Sequence, residues 1–398
     1  MIKKLSAAIL LALFFLSPLQ AATNSDGQFS VNPQIDAAWI KGLDYMYRLD
    51  FDRADSEFKR LIAAYPDHPA GYLALAGLQW WILSQNFDNV EDMRSYETEF
   101  FSYIDEAEKR SRAMMKNKQD DTACFCLGVG YGLVGRWYAV KRRWWKAYTN
   151  GSNAKIYLRK TLELNPNAHD AALGLGIMDY YADTLPSVLK LMSSIFIHGD
   201  KERGLQYIDQ AINKGRFFVT EANLFKISIY LQFEKKYAEA IAMSQALEKK
   251  QPDNEFFRFA EVVTRFNAND WPGTLSSGLA FIEKHKNDRT SQLGQQLALV
   301  YLAVGDAYFM AGDRKRAIEY FSRGIEDTAY PSKGWITFCH LRLAQMYDLE
   351  GMRDKAIDHY LIAASRPDFF DSEQQARAGL RKPCTEEGIK KEINNAEG

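Results

Sequence analysis

The chain of 398 residues carries none of the short motifs that announce chemistry. Its six histidines (His68, His169, His198, His285, His340 and His359) are scattered, with no His-Glu-x-x-His pair among them. There is no Gly-x-Ser-x-Gly elbow and no phosphate-binding glycine loop. The acids of Glu97-x-Glu99 and Asp120-Asp121 fall on expected helix faces or helix ends, where solvation accounts for them. Neither an enzyme nor a cofactor is expected. An excess of one charge is also lacking. Lys and Arg number 50 against 51 Asp and Glu, a net charge of -1, so nothing commits the chain electrostatically to nucleic acid. Cysteine is scarce, at four residues, and no Cys/His spacing fits a zinc site. Cys124 and Cys126, two apart on an expected helix, point away from each other, and Cys124 reads as core. Cys339 and Cys384 meet only if a C-terminal helix folds back on the last repeat. The valine and isoleucine alternation of a sheet is missing, and a helical period holds almost throughout.

What is present begins with an address. Lys3 and Lys4 precede an apolar run, Ala7 to Leu16, and then Ser17-Pro18-Leu19-Gln20-Ala21-Ala22. A basic start, a short apolar centre and a small-residue end read as a signal peptide over 1–22, cleaved after Ala21 or Ala22. The run is too short for a retained anchor, so the mature chain is expected to have no transmembrane segment. No cysteine follows it, which argues against a lipoprotein, and the two-lysine start looks bacterial. The expected location is the periplasm or beyond, an oxidising compartment that permits disulfides. Residues 23–34 are polar, with Gly27 and Pro33, and read as a linker.

The body of the chain repeats one unit, clearest as AVGDAYFMAGDRKRAIEYFSRGI, Ala303 to Ile325. Gly305 and Tyr308 share a face of one helix, Gly312-Asp313 breaks it, and Ala317, Phe321 and Gly324 line a face of the next. Small residues admit close approach and aromatics fill the gap. The pattern resembles the tetratricopeptide repeat, of period about 34. That resemblance implies an all-α solenoid, because one such hairpin cannot bury its apolar face alone. About eight hairpins are expected over 35–382. The first has Gly42, Tyr45, Phe51, Ala54 and Phe58, and Pro66 ends its second helix. The next three are interrupted between their helices by inserts at about 80–100, 133–152 and 181–201. Inserts at equivalent points of a solenoid are neighbours in space, so they are expected to extend the helices and pack as one subdomain. Regular repeats return at Ile227, and a capping helix is expected over Ser372 to Leu380. Residues 383–398 read as a charged, flexible tail.

Three stretches are candidates for binding. Arg136 to Tyr148 holds five basic residues and no acid, and on one helix Trp137, Val140, Trp144 and Tyr148 form a stripe. Such a helix suits an anionic headgroup interface, and exposed tryptophans would stack on sugars. The plainer reading makes the tryptophans core between inserts, with the basic face answering the acids of Glu91 to Glu99. Ligand or membrane contact is therefore assigned to Trp137, Arg143, Trp144, Trp145 and Leu191 as candidates.

The second stretch is 173–205, with Gly174-x-Gly176, Leu185-Pro186 opening an apolar helix, Lys190-Leu191, and Gly199-Asp200-Lys201 followed by Gly204-Leu205. These features resemble the tetratricopeptide repeat protein 39 family, which includes a yeast inclusion-clearance protein of the outer mitochondrial membrane. The resemblance implies a link to membranes or lipid bodies. The alternative is a buried insert helix.

The third is the groove lined by first helices, where extended peptides bind such repeats. Arg258, Arg265 and Arg342 sit on otherwise apolar first helices and are the partner-binding candidates, with local ion pairing as the alternative. The sequence thus points to an exported scaffold for a protein or peptide of the cell envelope. A lipid- or glycan-binding envelope protein, with an aromatic pocket among the inserts, is the runner-up.

Overall fold

The computed structural model describes residues 29–85, 93–116, 118–141, 143–184, 199–288, 292–327, 333–369 and 371–394. In chain order the helices are α1 (Pro33–Tyr47), α2 (Phe51–Ala64), α3 (Pro69–Gln85), α4 (Met93–Met114), α5 (Asp121–Val140), α6 (Trp144–Leu164), α7 (Asp170–Thr184), α8 (Lys201–Lys214) and α9 (Val219–Ile229). A π turn, Tyr230–Glu234, leads to α10 (Tyr237–Lys250), α11 (Glu255–Asn267), α12 (Trp271–His285) and the single turn α13 (Gln292–Gln295). The last are α14 (Leu297–Met310), α15 (Arg314–Glu326), α16 (Lys333–Leu349), α17 (Arg353–Ser365), α18 (Ser372–Arg381) and α19 (Glu386–Asn394). No strand occurs among the described residues, and neighbouring helices pair as antiparallel hairpins, so the fold is an all-α solenoid.

The hairpin geometry follows from residue size. At Gly305 of α14 a Cβ would sit 2.3 Å from the Phe321 ring of α15, and at Gly42 of α1 it would sit 2.2 Å from Phe58 of α2. Only a bare backbone lets the ring lie flat against the helix. The tight turns share a second device. Leu49, Lys235, Asn269, Gly312 and Gly351 all take positive φ, between 53° and 84°, just before a second helix begins. Three of these are followed by an aspartate that caps that helix, Asp50 to Arg53 N, Asp270 to Gly273 N and Asp313 to Arg316 N. The chain therefore uses one turn in its regular repeats, whether or not glycine stands there.

The interrupted repeats are built differently. Helices α3, α4, α5 and α6 run 17, 22, 20 and 21 residues, against 14 and 13 for α14 and α15. The first two inserts thus lengthen the hairpins, and the middle of the third, 185–198, lies outside the described residues together with Leu191. The expected single stripe from Trp137 to Tyr148 is broken. Helix α5 ends at Val140 and α6 starts at Trp144, with the Arg143 N–H turned back to the Tyr138 carbonyl at 2.8 Å.

The chain divides into an N-terminal unit, whose described part ends at Lys226, and a C-terminal unit from Ile227 onward. In the N-terminal unit α5 is the one described helix long and apolar enough to cross a bilayer, yet it is mostly buried there, as a core helix is. The C-terminal unit is closed by α18, and then by α19, where the sequence suggests a flexible tail.

Candidate partner-binding groove

First helices line the inner side of such hairpins, so α14 and α16 are the place to look in the C-terminal unit. One side of each meets its own second helix. On α14 Tyr308 packs on Tyr320 of α15, and on α16 His340 and Tyr347 pack on His359 of α17. Asp306 of α14, with Arg342 and Gln345 of α16, lies around the helices from those contacts, and all three are buried. Arg342 Nε donates to Asp306 at 2.8 Å, and its Nη1 donates to Gln345 at 2.6 Å and to Glu392 of α19 at 3.0 Å. Gln345 Nε2 donates to the same Glu392 oxygen at 3.0 Å. Burial pushes the Asp306 carboxyl up to about 6, a rise that Arg342 opposes and the charge of Glu392 reinforces. Burial would depress Arg342, but Asp306 and Glu392 hold its guanidinium above its ordinary range.

The helix that reaches this site is short and regular. Ile389 and Ile393, one turn apart, are 1% and 0% exposed. Lys390 lies 5.9 Å from the Phe309 ring of α14, and Glu386 takes Arg314 at 3.0 Å. The turn before α19 is fixed separately. Asp348 accepts from Arg353, from the Tyr360 hydroxyl at 3.0 Å and from the Cys384 N–H at 3.1 Å. Arg353 Nη2 also caps the end of α18 at the carbonyls of Gly379 and Leu380.

The corresponding face of the N-terminal unit is filled by its own side chains. Trp39 of α1 and Phe125 of α5 meet Phe217 and Phe218, which precede α9, and Phe29 edges onto Phe125 at 5.2 Å. Two carboxylates hold that cluster. Asp36 accepts from Ser30 Oγ and pairs with Arg216 at 2.8 Å. Asp170, at the start of α7, accepts the backbone N–H groups of Arg216, Phe217 and Phe218 at 2.7 to 3.0 Å. Sequence reasoning passed over this cluster. Its only signal was Gly215-Arg216-Phe217-Phe218, a short aromatic run in an expected loop.

The other candidates separate by location. Trp137 is core: its ring stacks on Phe100 at 4.6 Å and its indole N–H donates to Glu97, which Lys141 also pairs with at 2.5 Å. Trp80 joins it at 6.0 Å, so the first two inserts pack together around a filled interior. Trp144 and Trp145 face outward, at 55% and 75% exposure, beside exposed Arg143 and Lys146. Two open clefts of about 230 and 370 Å³ lie on this unit, and neither encloses the tryptophans. Arg258 lies 3.5 Å from both Glu248 and Glu255. Arg265 pairs with Glu261 at 2.8 Å and with Asp270 at 2.5 Å. Of the three arginines, Arg342 is the one that is almost fully buried, between Asp306 and Glu392. The four cysteines are free thiols: Cys339 is buried against α14, and Cys384 donates to the Gln345 carbonyl. Among the described residues no cluster of three His, Cys, Asp or Glu side chains is placed to hold a metal.

No family model matches the chain, and no curated protein sequence matches it. Solved structures do resemble it. A Rap protein complexed with competence and sporulation factor has a TM-score of 0.44 at 12% identity, over 91% of this chain and 98% of that one. A human IFIT1 dimer with PPP-AAAA gives 0.41 at 12% identity, over 96% and 86%. A tetratricopeptide repeat protein from Parabacteroides merdae gives 0.33 at 11% identity, over 88% and 100%. These are remote likenesses, and they do not bear on the narrower resemblance of 173–205. The fold itself rests on the antiparallel helix hairpins of the chain, an all-α solenoid.

Proposed function

We propose that the protein is an exported repeat scaffold that holds a protein or peptide partner in the cell envelope. The observation that supports this reading is the cluster on α14 and α16, where buried Asp306, Arg342 and Gln345 converge and Arg342 and Gln345 hold Glu392 of the helical segment α19. Buried polar groups that converge on one point give orientation and selectivity, which a purely apolar packing surface lacks. The remainder of the reading rests on the sequence: a basic, apolar, small-residue N-terminus for export, and no motif for catalysis. The filled interior around Trp80, Phe100 and Trp137 favours a protein partner over a lipid or glycan held among the inserts.

The outward-facing Trp144 and Trp145 favour a second reading, contact with an envelope lipid or glycan at that tip. Photo-crosslinking in living cells separates the two, with benzoylphenylalanine in place of Phe309 and, separately, of Trp145, and mass spectrometry of the adducts. A protein adduct at Phe309 is expected. A lipid or glycan adduct at Trp145 alone would move the function to the second reading, and silence at both positions would overturn both.

A further inference from the structure

We propose that the inner face of the C-terminal unit is a docking groove for an acidic amphipathic helix, and that α19 is the chain's own occupant, displaced by a partner helix of the same pattern. This rests on the scaffold reading above and names the chemistry of its ligand. The pattern is read from α19: two isoleucines four apart, Ile389 and Ile393, with a carboxylate at Glu392 between them and another at Glu386 one turn earlier. The isoleucines supply the apolar stripe of a helix laid in a groove, and Glu392 supplies the selectivity through Arg342 and Gln345.

Three features make the occupant exchangeable. The first is size. A helix of nine residues does not hold its shape alone in water, so α19 folds only where it docks. The second is the charge balance of the site. Arg342 and Asp306 already form a neutral buried pair, so the groove is electrostatically complete without α19. With α19 docked, Glu392 is a second carboxylate against one guanidinium, whose Nε already serves Asp306 Oδ1. A partner helix meets the same groove and suffers the same excess, so neither occupant is locked in. The third is the separate anchor. Asp348 holds the Cys384 N–H and Arg353 caps α18, contacts that do not involve α19. The helix can therefore leave while α18 stays closed over the last hairpin. The remaining contacts of α19 with the hairpins, Arg314 with Glu386 and Lys390 over the Phe309 ring at 5.9 Å, use partly exposed cations and hold little, and the Lys390–Glu386 pair lies within α19 itself.

The test uses the mature full-length chain and a fluorescein-labelled synthetic peptide of Thr385–Asn394, followed by fluorescence anisotropy. A tethered occupant competes at an effective concentration in the millimolar range. The wild-type chain is therefore expected to bind the free peptide at least about tenfold more weakly than a chain carrying Ile389→Asp and Ile393→Asp, which empties the groove. A peptide with the change Glu392→Lys is expected to lose at least about tenfold in affinity for that emptied chain, as a partner of Arg342 must. Circular dichroism checks that the substituted chain stays folded. Hydrogen exchange on the unmodified protein gives an independent reading that needs no variant. The amides of α19 should exchange far faster than those of α14, in a local opening. Equal protection of the two helices would make α19 a permanent core element and overturn the proposal. So would equal peptide binding by both chains, or binding by neither. If the peptide fails while a protein adduct still forms at Phe309, the groove's ligand chemistry falls and the scaffold reading stands.

Discussion

Replacing Asp170 by alanine should do more damage than any other single change of a charged side chain in the N-terminal unit. The carboxylate stands at the head of α7 and is 3% exposed. It accepts the N–H groups of Arg216 at 2.9 Å, Phe217 at 2.8 Å and Phe218 at 2.7 Å, a loop 46 to 48 residues further along the chain. Burial pushes its pKa up, and those three N–H groups pull it back. Alanine removes all the acceptors at once and leaves the donors in a dry interior. A buried donor left without a partner costs about 1–3 kcal/mol. Three of them amount to about 3–6 kcal/mol, allowing for the partial exposure of Arg216. A typical domain has only about 5–15 kcal/mol in all. The loop also carries Phe217 and Phe218 against Trp39 and Phe125, so its release uncovers the aromatic cluster. Asparagine keeps one acceptor oxygen and should lose about half as much. Urea unfolding followed by tryptophan fluorescence is the assay, because Trp39, Trp80, Trp81, Trp137, Trp144 and Trp145 all lie in this unit. A midpoint for Asp170→Ala within experimental error of wild type, or no lower than that of Asp170→Asn, would refute the reasoning.

The hairpins were legible in the sequence because their geometry is local. Gly305 with Phe321, and Gly42 with Phe58, are size relations that the repeat imposes within a few dozen residues, and reading them needs no tertiary knowledge. The break between Val140 and Trp144 was not legible. The apolar spacing of Trp137, Val140, Trp144 and Tyr148 is a good helix, and it does not display the long-range partners that hold the first half inside: Glu97 for Trp137 and Lys141, and Glu221, 3.6 Å from Arg136. Trp137 and Trp145 look alike in sequence and end at opposite extremes of exposure for that reason. The polar cluster of α14 and α16 was half legible. Arg342 stood out as a cation on an apolar helix, but Arg258 and Arg265 stood out equally, and each has an acid about one turn away, Glu255 and Glu261. Helix α19 was hidden because two isoleucines among glutamates, lysines and a glycine give too short a pattern to reveal a period.

Four further outcomes check this account. Gly305→Val should lose about 1–3 kcal/mol or more by overpacking, since its Cβ would press on Phe321 at 2.3 Å, and a thermal melt reads it directly. Mass spectrometry of the exported protein should find Ala22 or Thr23 at the N-terminus, and an intact Met1 would end the export proposal. The pH dependence of stability should carry the mark of Asp306. Its folded pKa is raised to about 6, so between about pH 4 and 6 the unfolded chain has released a proton that the folded chain keeps. This contribution is full at the acid end and is lost as pH rises through the folded pKa, at about 1.4 kcal/mol per unit and about 3 kcal/mol in total. Arg342, Glu392 and Cys339 face the same carboxyl, so comparison with Asp306→Asn is what isolates it, and identical slopes for the two proteins would contradict the assignment. The last outcome tests whether the inserts are a core with an exposed tip. Trp137→Ala should cost about 3–5 kcal/mol, because a stacked ring and the indole bond to Glu97 vanish from a filled interior. Trp145→Ala should cost less than about 0.5 kcal/mol, because three-quarters of that side chain already lies in solvent. If both losses are large, the tip is packed and is no surface for a partner. If both are small, the inserts do not share a core. Only the unequal result leaves Trp145 as a residue kept for what it meets outside the fold.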